Sequence, residues 1–295
     1  MGSTCSSIPA TIADLTMIPD DNDTSYSHDL LPTESRHAPA ITIAYALKAV
    51  PEYENKKVKQ AQRNIAHFVY DKDLPEHQDL PVLPAYRMVE DGAVYEGQWF
   101  KGQRYGKGNN SWTDGSLYQG YWKDNRPHGK GRYIDSEGNI YEGTWENGKC
   151  HGYGTFLELS GAFYQGDWFE GRQHGEGKQQ WANGSKYEGN YKRGKKEGQG
   201  VFVWANGDVY EGEFYNNKME GYGTFKWKDG RRFEGEWKDG RIHGEGVYEW
   251  ANGGKFVGEY YDETKEGYGE VELWNGEKTT TPPRGSARTS RISVY

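Results

Sequence analysis

Three groups of residues in this 295-residue chain combine type and spacing in a way that suggests chemistry. The first is the N-terminus, Met1-Gly2-Ser3-Thr4-Cys5-Ser6. With Met1 removed, Gly2 opens the M-G-x-x-x-[ST] pattern for N-myristoylation, and Ser6 closes it. Cys5 is placed for palmitate. One myristoyl chain holds a protein on a membrane only marginally, so a second signal is needed. A polybasic second signal is missing, because Asp14, Asp20, Asp21 and Asp23 follow. Palmitate on Cys5 is therefore the expected second chain. The second group is Lys192, Arg193, Lys195 and Lys196, a cationic run suited to acidic phospholipid headgroups or an acidic protein partner. The plainer reading is a solvated sheet edge whose charges discourage pairing with other sheets. The third group is His128, His151, His174 and His243, which recur at one position of a repeat. Copies one repeat apart would lie ~10 Å from each other, whereas metal ligands must converge to ~2 Å. Glu197, Glu220 and Glu266 fill the same position. No metal and no cofactor is expected. The GxG of Gly129-Lys130-Gly131 does not join a strand to a helix, so a dinucleotide reading fails. No Ser–His–Asp or paired-carboxylate pattern stands apart from the repetition, and no catalytic residue is assigned.

The elements that position these residues follow from a 23-residue period. Its copies begin at Tyr95, Tyr118, Tyr141, Tyr164, Tyr187, Tyr210, Phe233 and Phe256. With that ring as position 0, glycine stands at positions 2, 11, 13 and 20 of every copy. Position 4 is aromatic throughout, as in Trp99, Trp122, Trp145 and Trp168. Alternation at positions 0, 2, 4 and again at 13, 15, 17 means strands. Each repeat reads as a hairpin with a polar turn at positions 5–10 and a second turn written TDG, ANG or KDG. Glycines 2 and 13 share a face with the rings and leave room for them to cross the backbone. The expected fold class is all-β: an elongated, twisted, single-layer antiparallel sheet of stacked β-hairpins, with a largely irregular N-terminal leader. Across positions 5–10 the eight copies hold 14 Lys/Arg against 9 Asp/Glu, which makes the turn edge mildly basic.

Composition agrees with a thin aromatic core. Only 34% of residues are hydrophobic while 15% are aromatic, and there are 41 glycines. The net charge of −8 argues against a nucleic-acid partner. Two cysteines, Cys5 and Cys150, cannot build a disulfide framework and suit a reducing compartment. No apolar run reaches the length of a membrane span, and no secretory signal is evident, so an intracellular chain is expected. Three segments result. Residues 1–85 form a polar, mostly disordered leader with a short helix near 55–69. Residues 86–276 form the repeat array with its lead-in strand, and residues 277–295 a basic, disordered tail.

The runs YEGQW, YEGTW and FEGEW, followed by HGKG, HGYG and HGEG and a later DG or NG, resemble the MORN repeat. The resemblance covers Tyr95–Gly276. It implies a stack of antiparallel hairpins that serves as a scaffold between membranes, cytoskeleton and protein partners. It also implies binding to acidic phospholipids, and homodimerisation through terminal repeats as in some members. Arrays of this kind are sometimes fused to lipid kinase or methyltransferase domains. Here 94 residues precede Tyr95 and 19 follow Gly276, too few for either. The expected function is a non-enzymatic scaffold or adaptor tethered to a cytoplasmic membrane face by acylation at Gly2 and Cys5. The alternative is a structural protein of a cilium or other microtubule assembly, since radial-spoke heads contain similar arrays.

Overall fold

In the computed structural model of this protein, residues 44–46, 53–71, 80–88, 92–261 and 264–281 are described. Gly2, Cys5 and the arginines of the tail lie outside them. The chain falls into two compact units, with the division between Ala182 and Asn183 and with Lys192–Gly194 counted in the first. Both are antiparallel stacks of hairpins, as the alternation of rings and glycines implies.

The first unit holds β1 (Ala44–Ala46), α1 (Lys56–Arg63), β2 (Val82–Met88), β3 (Val94–Phe100), β4 (Gln103–Ser111), β5 (Leu117–Lys123), β6 (Arg126–Ile134), β7 (Ile140–Glu146), β8 (Lys149–Leu157), β9 (Phe163–Phe169) and β10 (Arg172–Gln180). The second holds β11 (Lys186–Lys192), β12 (Lys195–Val203), β13 (Val209–Tyr215), β14 (Lys218–Lys226), β15 (Arg232–Lys238), β16 (Arg241–Glu249), β17 (Lys255–Tyr261), β18 (Thr264–Glu272) and β19 (Lys278–Thr281). Within each unit every strand pairs with its sequence neighbours.

In the first seven copies the first turn is tighter than the polar run at positions 5–10 suggests. It consists of positions 6 and 7 alone, as in Asn147 (φ 52°) and Gly148 (φ 81°). Two successive left-handed residues make the turn whose twist matches that of the flanking strands. The second strand therefore starts at position 8, and position 9 points inward. Arg104, Cys150, Gln173, Lys196, Met219 and Ile242 all occupy that slot and all are buried. The second turn is a different device. Gly138 donates to the Asp135 carbonyl at 3.0 Å, the Asp135 amide donates to the Asn139 carbonyl at 3.0 Å, and only the glycine has positive φ (87°). This is a type I turn closed by a glycine bulge.

The core is a file of rings. Tyr118 lies edge-on to Trp122 of its own repeat (centroids 5.0 Å apart) and to Trp145 of the next (5.3 Å). Tyr210 stands in the same way between Phe214 (5.1 Å) and Trp237 (5.3 Å) in the second unit. Edge-to-face contacts of this kind add ~0.5–1.5 kcal/mol beyond burial. The tyrosine hydroxyls are anchored too. Tyr118 donates to the Tyr121 carbonyl at 3.0 Å and Tyr141 to the Thr144 carbonyl at 2.9 Å. Tryptophan Nε1 at position 4 donates to the preceding glycine-13 carbonyl, as from Trp145 to Gly131 at 3.0 Å.

Residues 53–71 bind across the first two repeats. Asn55 caps α1 by accepting from the Lys57 and Val58 amides, and its amide nitrogen reaches the Asp114 and Ser136 carbonyls at 2.9 Å each. One face of α1, carrying Val58 and Ala61, closes a small cluster with Ile134, Ile140, Leu117 and Ile65. Lys57 pairs with Glu137 beside it. After α1 the chain runs as an extended strap. Val69 is 79% exposed while Phe68 and Tyr70 turn toward the sheet. The leader segment placed before residue 86 thus contains ordered chain, and the lead-in strand already begins at Val82. At the other end, residues 278–281 form β19 instead of starting a disordered tail. The Asn275-Gly276 turn repeats the bulge geometry, with Gly276 donating to Leu273 at 2.9 Å, and the threonine run after it pairs with β18.

Burial raises the Tyr70 pKa from the usual 10 to about 12. A phenol whose pKa is higher in place than free favours docking below the free value, and that stabilisation is lost as pH climbs from 10 toward 12. The core tyrosines Tyr95 and Tyr141 are pushed higher still by burial. Limited proteolysis across an alkaline titration should therefore find the 64–71 strap increasingly cleaved as pH rises above 10.

Candidate binding surfaces

Three surfaces were available to the sequence argument: the ring file, the first-turn edge and the opposite sheet face. The ring file is closed. Tyr95, Tyr118, Tyr141, Tyr164, Tyr210 and Phe233 are each 0% exposed, so they form the core and not a partner surface. Cys150 is buried beside Tyr141, and burial pushes its thiol pKa up, away from reactive thiolate.

The first-turn edge carries the cations. In the first unit, exposed Lys123, Arg126, Lys149 and Arg172 occur with the exposed rings Phe100 (44%) and Phe169 (46%). In the second unit, Lys218, Lys238 and Arg241 occur with Tyr215 (62%) and Tyr261 (61%). The rings occupy position 5, which holds Lys123, Lys192 and Lys238 in other copies and Glu146 in one, and that position projects outward at the strand end. The repeated histidines lie just behind these rings. Phe169 sits between His151 (5.2 Å) and His174 (5.5 Å), and Tyr261 lies 5.7 Å from His243. His174 Nδ1 also accepts from the Arg193 amide at 3.5 Å. Burial, and then Lys123, lowers the His128 pKa. Among the described residues no group of three or more His, Cys, Asp or Glu could hold a metal ion. The histidines are packing residues of the edge.

Of the four cations singled out for a basic edge, Lys192, Arg193 and Lys195 are exposed. Lys195 hydrogen-bonds Asn216. Lys196 is not on the edge at all. It is 0% exposed, with its ammonium 5.5 Å from the Tyr187 ring centroid and 5.6 Å from that of Phe202. The two-residue turn is the reason: position 9 alternates inward, whatever residue occupies it. In later repeats the slot holds Met219 and Ile242, both 0% exposed. Lys196→Met should keep the hairpin folded, since Met219 fills the same slot one repeat on. It should leave any binding to acidic vesicles unchanged. Loss of vesicle binding by the folded variant would place Lys196 among the functional cations after all.

On the opposite face the sequence places glutamates at position 1, namely Glu96, Glu142, Glu188, Glu211 and Glu234, and the face differs between the units. Over the first two repeats of the first unit the strap covers it, whereas Tyr153 on β8 is 58% exposed. Tyr70 stacks edge-on to Tyr121 at 5.6 Å, and its hydroxyl lies 3.1 Å from Asn109 Oδ1. Lys107 approaches the Tyr70 ring at 5.5 Å, and Arg132 approaches Phe68 at 5.6 Å. Arg132 also donates to the Ala66 carbonyl at 2.7 Å, and Lys130 meets Asp71 at 2.9 Å. A hint was present in sequence: Phe68-Val69-Tyr70 alternates, and the first two repeats carry Lys107, Lys130 and Arg132 at positions 12 and 14, where the later copies have only Lys178 as a cation. In the second unit the same face displays glutamates, including Glu211, Glu213, Glu236, Glu245 and Glu259, all exposed.

A family model for the MORN repeat matches residues 95–117, 118–140, 141–157, 164–186, 187–209, 210–231 and 233–255. The eighth copy, from Phe256, lies outside those matches yet forms the β17–β18 hairpin in the same register. No curated protein matches the chain. Among solved structures, the TCP10 domain of Danio rerio CPAP is similar at 12% identity and a TM-score of 0.37, over 70% of this chain and 95% of that one. The SAS-4 TCP domain of Drosophila melanogaster, in complex with a proline-rich motif of Ana2, matches at 14% identity and a TM-score of 0.29, over 59% and 83%. Likeness at these scores bears on neither fold assignment nor function. The repeat matches span more than half the chain, and the hairpin, ring and glycine geometry recurs in each of them: the chain belongs to the MORN-repeat family.

Proposed function

We propose that this protein is a non-enzymatic MORN-repeat scaffold held at a cytoplasmic membrane face by acyl chains on Gly2 and Cys5. Its first-turn edge would meet acidic headgroups or an acidic protein surface. The observation that carries this reading is the edge itself, where the exposed rings Phe100, Phe169, Tyr215 and Tyr261 stand among exposed lysine and arginine while the rings at positions 0 and 4 are sealed in the core. Aromatic side chains that are apolar at one end and wet at the other suit an interface between headgroup and water. Cations beside them add attraction to anionic lipid that falls with salt. The Gly2–Cys5–Ser6 pattern supports the tether, because two acyl chains hold where one does not. Tethering would also raise the effective concentration of each weak edge contact.

Two measurements test it. Mass spectrometry of the N-terminal peptide from the native source should find acylated Gly2 and Cys5, and an unmodified peptide removes the tether. Sedimentation with phosphatidylserine vesicles should weaken several-fold on Lys192→Glu, Arg193→Glu and Lys195→Glu together, and sedimentation unaltered by that variant removes the lipid role of the edge.

A further inference from the structure

The sheet face opposite the rings has an occupant in the first unit, and its geometry says what the second unit can take. Under the strap, the side chains form two rows that run across the strands. Asn109, Gln119 and Arg132 are cross-strand partners in one, and Lys107 and Tyr121 are partners in the other. Phe68 lies against Arg132 in the first row, while Tyr70 reaches Asn109 of that row and Tyr121 and Lys107 of the second. Residues i and i+2 of an extended chain are ~6.6–6.8 Å apart, as are the rows they meet. The face is thus a seat for an extended segment with every second side chain turned down.

Repetition reproduces the seat in the second unit with opposite charge. Glu211, Thr224 and Glu234 are cross-strand partners in one row, and Tyr222 and Glu236 in the other. The Glu213 carboxylate reaches the Tyr222 amide at 3.5 Å, and Tyr222 itself is 54% exposed. Next to these, Glu245 directly faces Glu259 across β16–β17. Like charges at directly opposed positions weaken a sheet, and an approaching cation reverses that cost. Among the described residues, Arg232, Lys255 and Lys278 form ion pairs with the face from the strand ends, where Arg232 holds Glu234 and the Glu234 pKa is lowered by that contact.

We propose that the exposed face of the second unit, built on Glu211, Glu213, Glu236 and Glu245 around Tyr222, docks an extended segment of a partner protein with lysine or arginine at alternate positions. The strap shows the mode of seating, and charge complementarity selects the occupant. In the first unit, sheet cations meet rings and a carboxylate from the strap. In the second, sheet carboxylates and the Tyr222 ring meet cations from the partner. Lysine stems would lie along Tyr222 and the flanking Val257, which is 44% exposed.

The test uses the full chain and fluorescence anisotropy with a labelled peptide in which lysine alternates with serine. Binding should be saturable, should weaken with salt, and should fall about tenfold when Glu211, Glu213, Glu236 and Glu245 are together changed to glutamine. An isomeric peptide with its lysines in one block should bind several-fold more weakly, because it cannot meet both rows in register. A photo-crosslinker at the peptide centre should attach within β13–β16, which needs no variant to fold. Equal affinity for the block isomer, unaltered affinity in the quadruple variant, or crosslinks confined to the first-turn edge would each overturn the proposal. Phosphatidylserine sedimentation of the quadruple variant should match the unsubstituted chain, which keeps this outcome separate from that of the lipid edge.

Discussion

Gly143→Ala should destabilise the first unit by about 3 kcal/mol and lower its melting temperature by several degrees. A methyl group at Gly143 would lie 2.5 Å from Gly154 Cα, 2.6 Å from the Tyr141 hydroxyl and 2.8 Å from the Tyr153 carbonyl. Two of those three atoms are backbone and cannot swing aside. Relief requires β7 and β8 to part or Tyr141 to leave its place between Trp145 (5.0 Å) and Trp168 (5.2 Å). Either movement opens the ring file on both sides. Gly161→Ala is the matched control for crowding, because nothing lies within 4 Å of a methyl group there; its φ of 90° adds only local backbone strain. Differential scanning calorimetry of the two variants separates the effects. If Gly143→Ala melts with the unsubstituted chain, the glycine columns are not what admits the rings.

Trp145→Ala should cost about 4 kcal/mol. The indole is 1% exposed and makes edge contacts with Tyr118, Tyr133 and Tyr141. Its loss leaves a cavity and removes the indole donor to the Gly131 carbonyl. Because each repeat is stabilised by its neighbours, the damage should not stay local. Urea unfolding followed by circular dichroism should show a lower midpoint and a broader transition, as the hairpins on either side lose coupling. Trp274→Ala removes the same side chain at a site 68% exposed and should change stability by less than about 0.5 kcal/mol. Similar losses in the two variants would mean that ring stacking does not carry the fold.

The repeat was legible because period and parity act locally. Rings at positions 0 and 4 with glycines at 2 and 13 fix the face of each strand, and the structure keeps that face in every copy. Turn width was not legible. The polar run Lys192–Glu197 reads as one loop, yet a two-residue left-handed turn ends it at Gly194 and sends Lys196 inward. Polarity misleads there, because position 9 is closed by neighbouring rings and accepts arginine, glutamine or lysine as readily as methionine. The strap was legible only in part. A short helix could be read from the leader, but Phe68 and Tyr70 gain their meaning from Tyr121 and Arg132, which lie far along the chain. The difference in charge between the two outer faces was present in the residues at positions 1, 3, 12 and 14. It becomes a surface only once the pairing register places those residues in rows.

The edge-on file has an optical consequence. Tyr118, Tyr141 and Tyr164 each have a tryptophan ring centroid within 5.3 Å, close enough that light absorbed by the phenol is emitted by the indole. Tyr187 instead contacts Tyr191, Phe202 and Phe214. Phenol emission from the native chain should therefore be weak and come mainly from the exposed tyrosines. Each hairpin that opens should add its own phenol band, so ordinary ultraviolet fluorescence could count repeats as they unfold, without any dye.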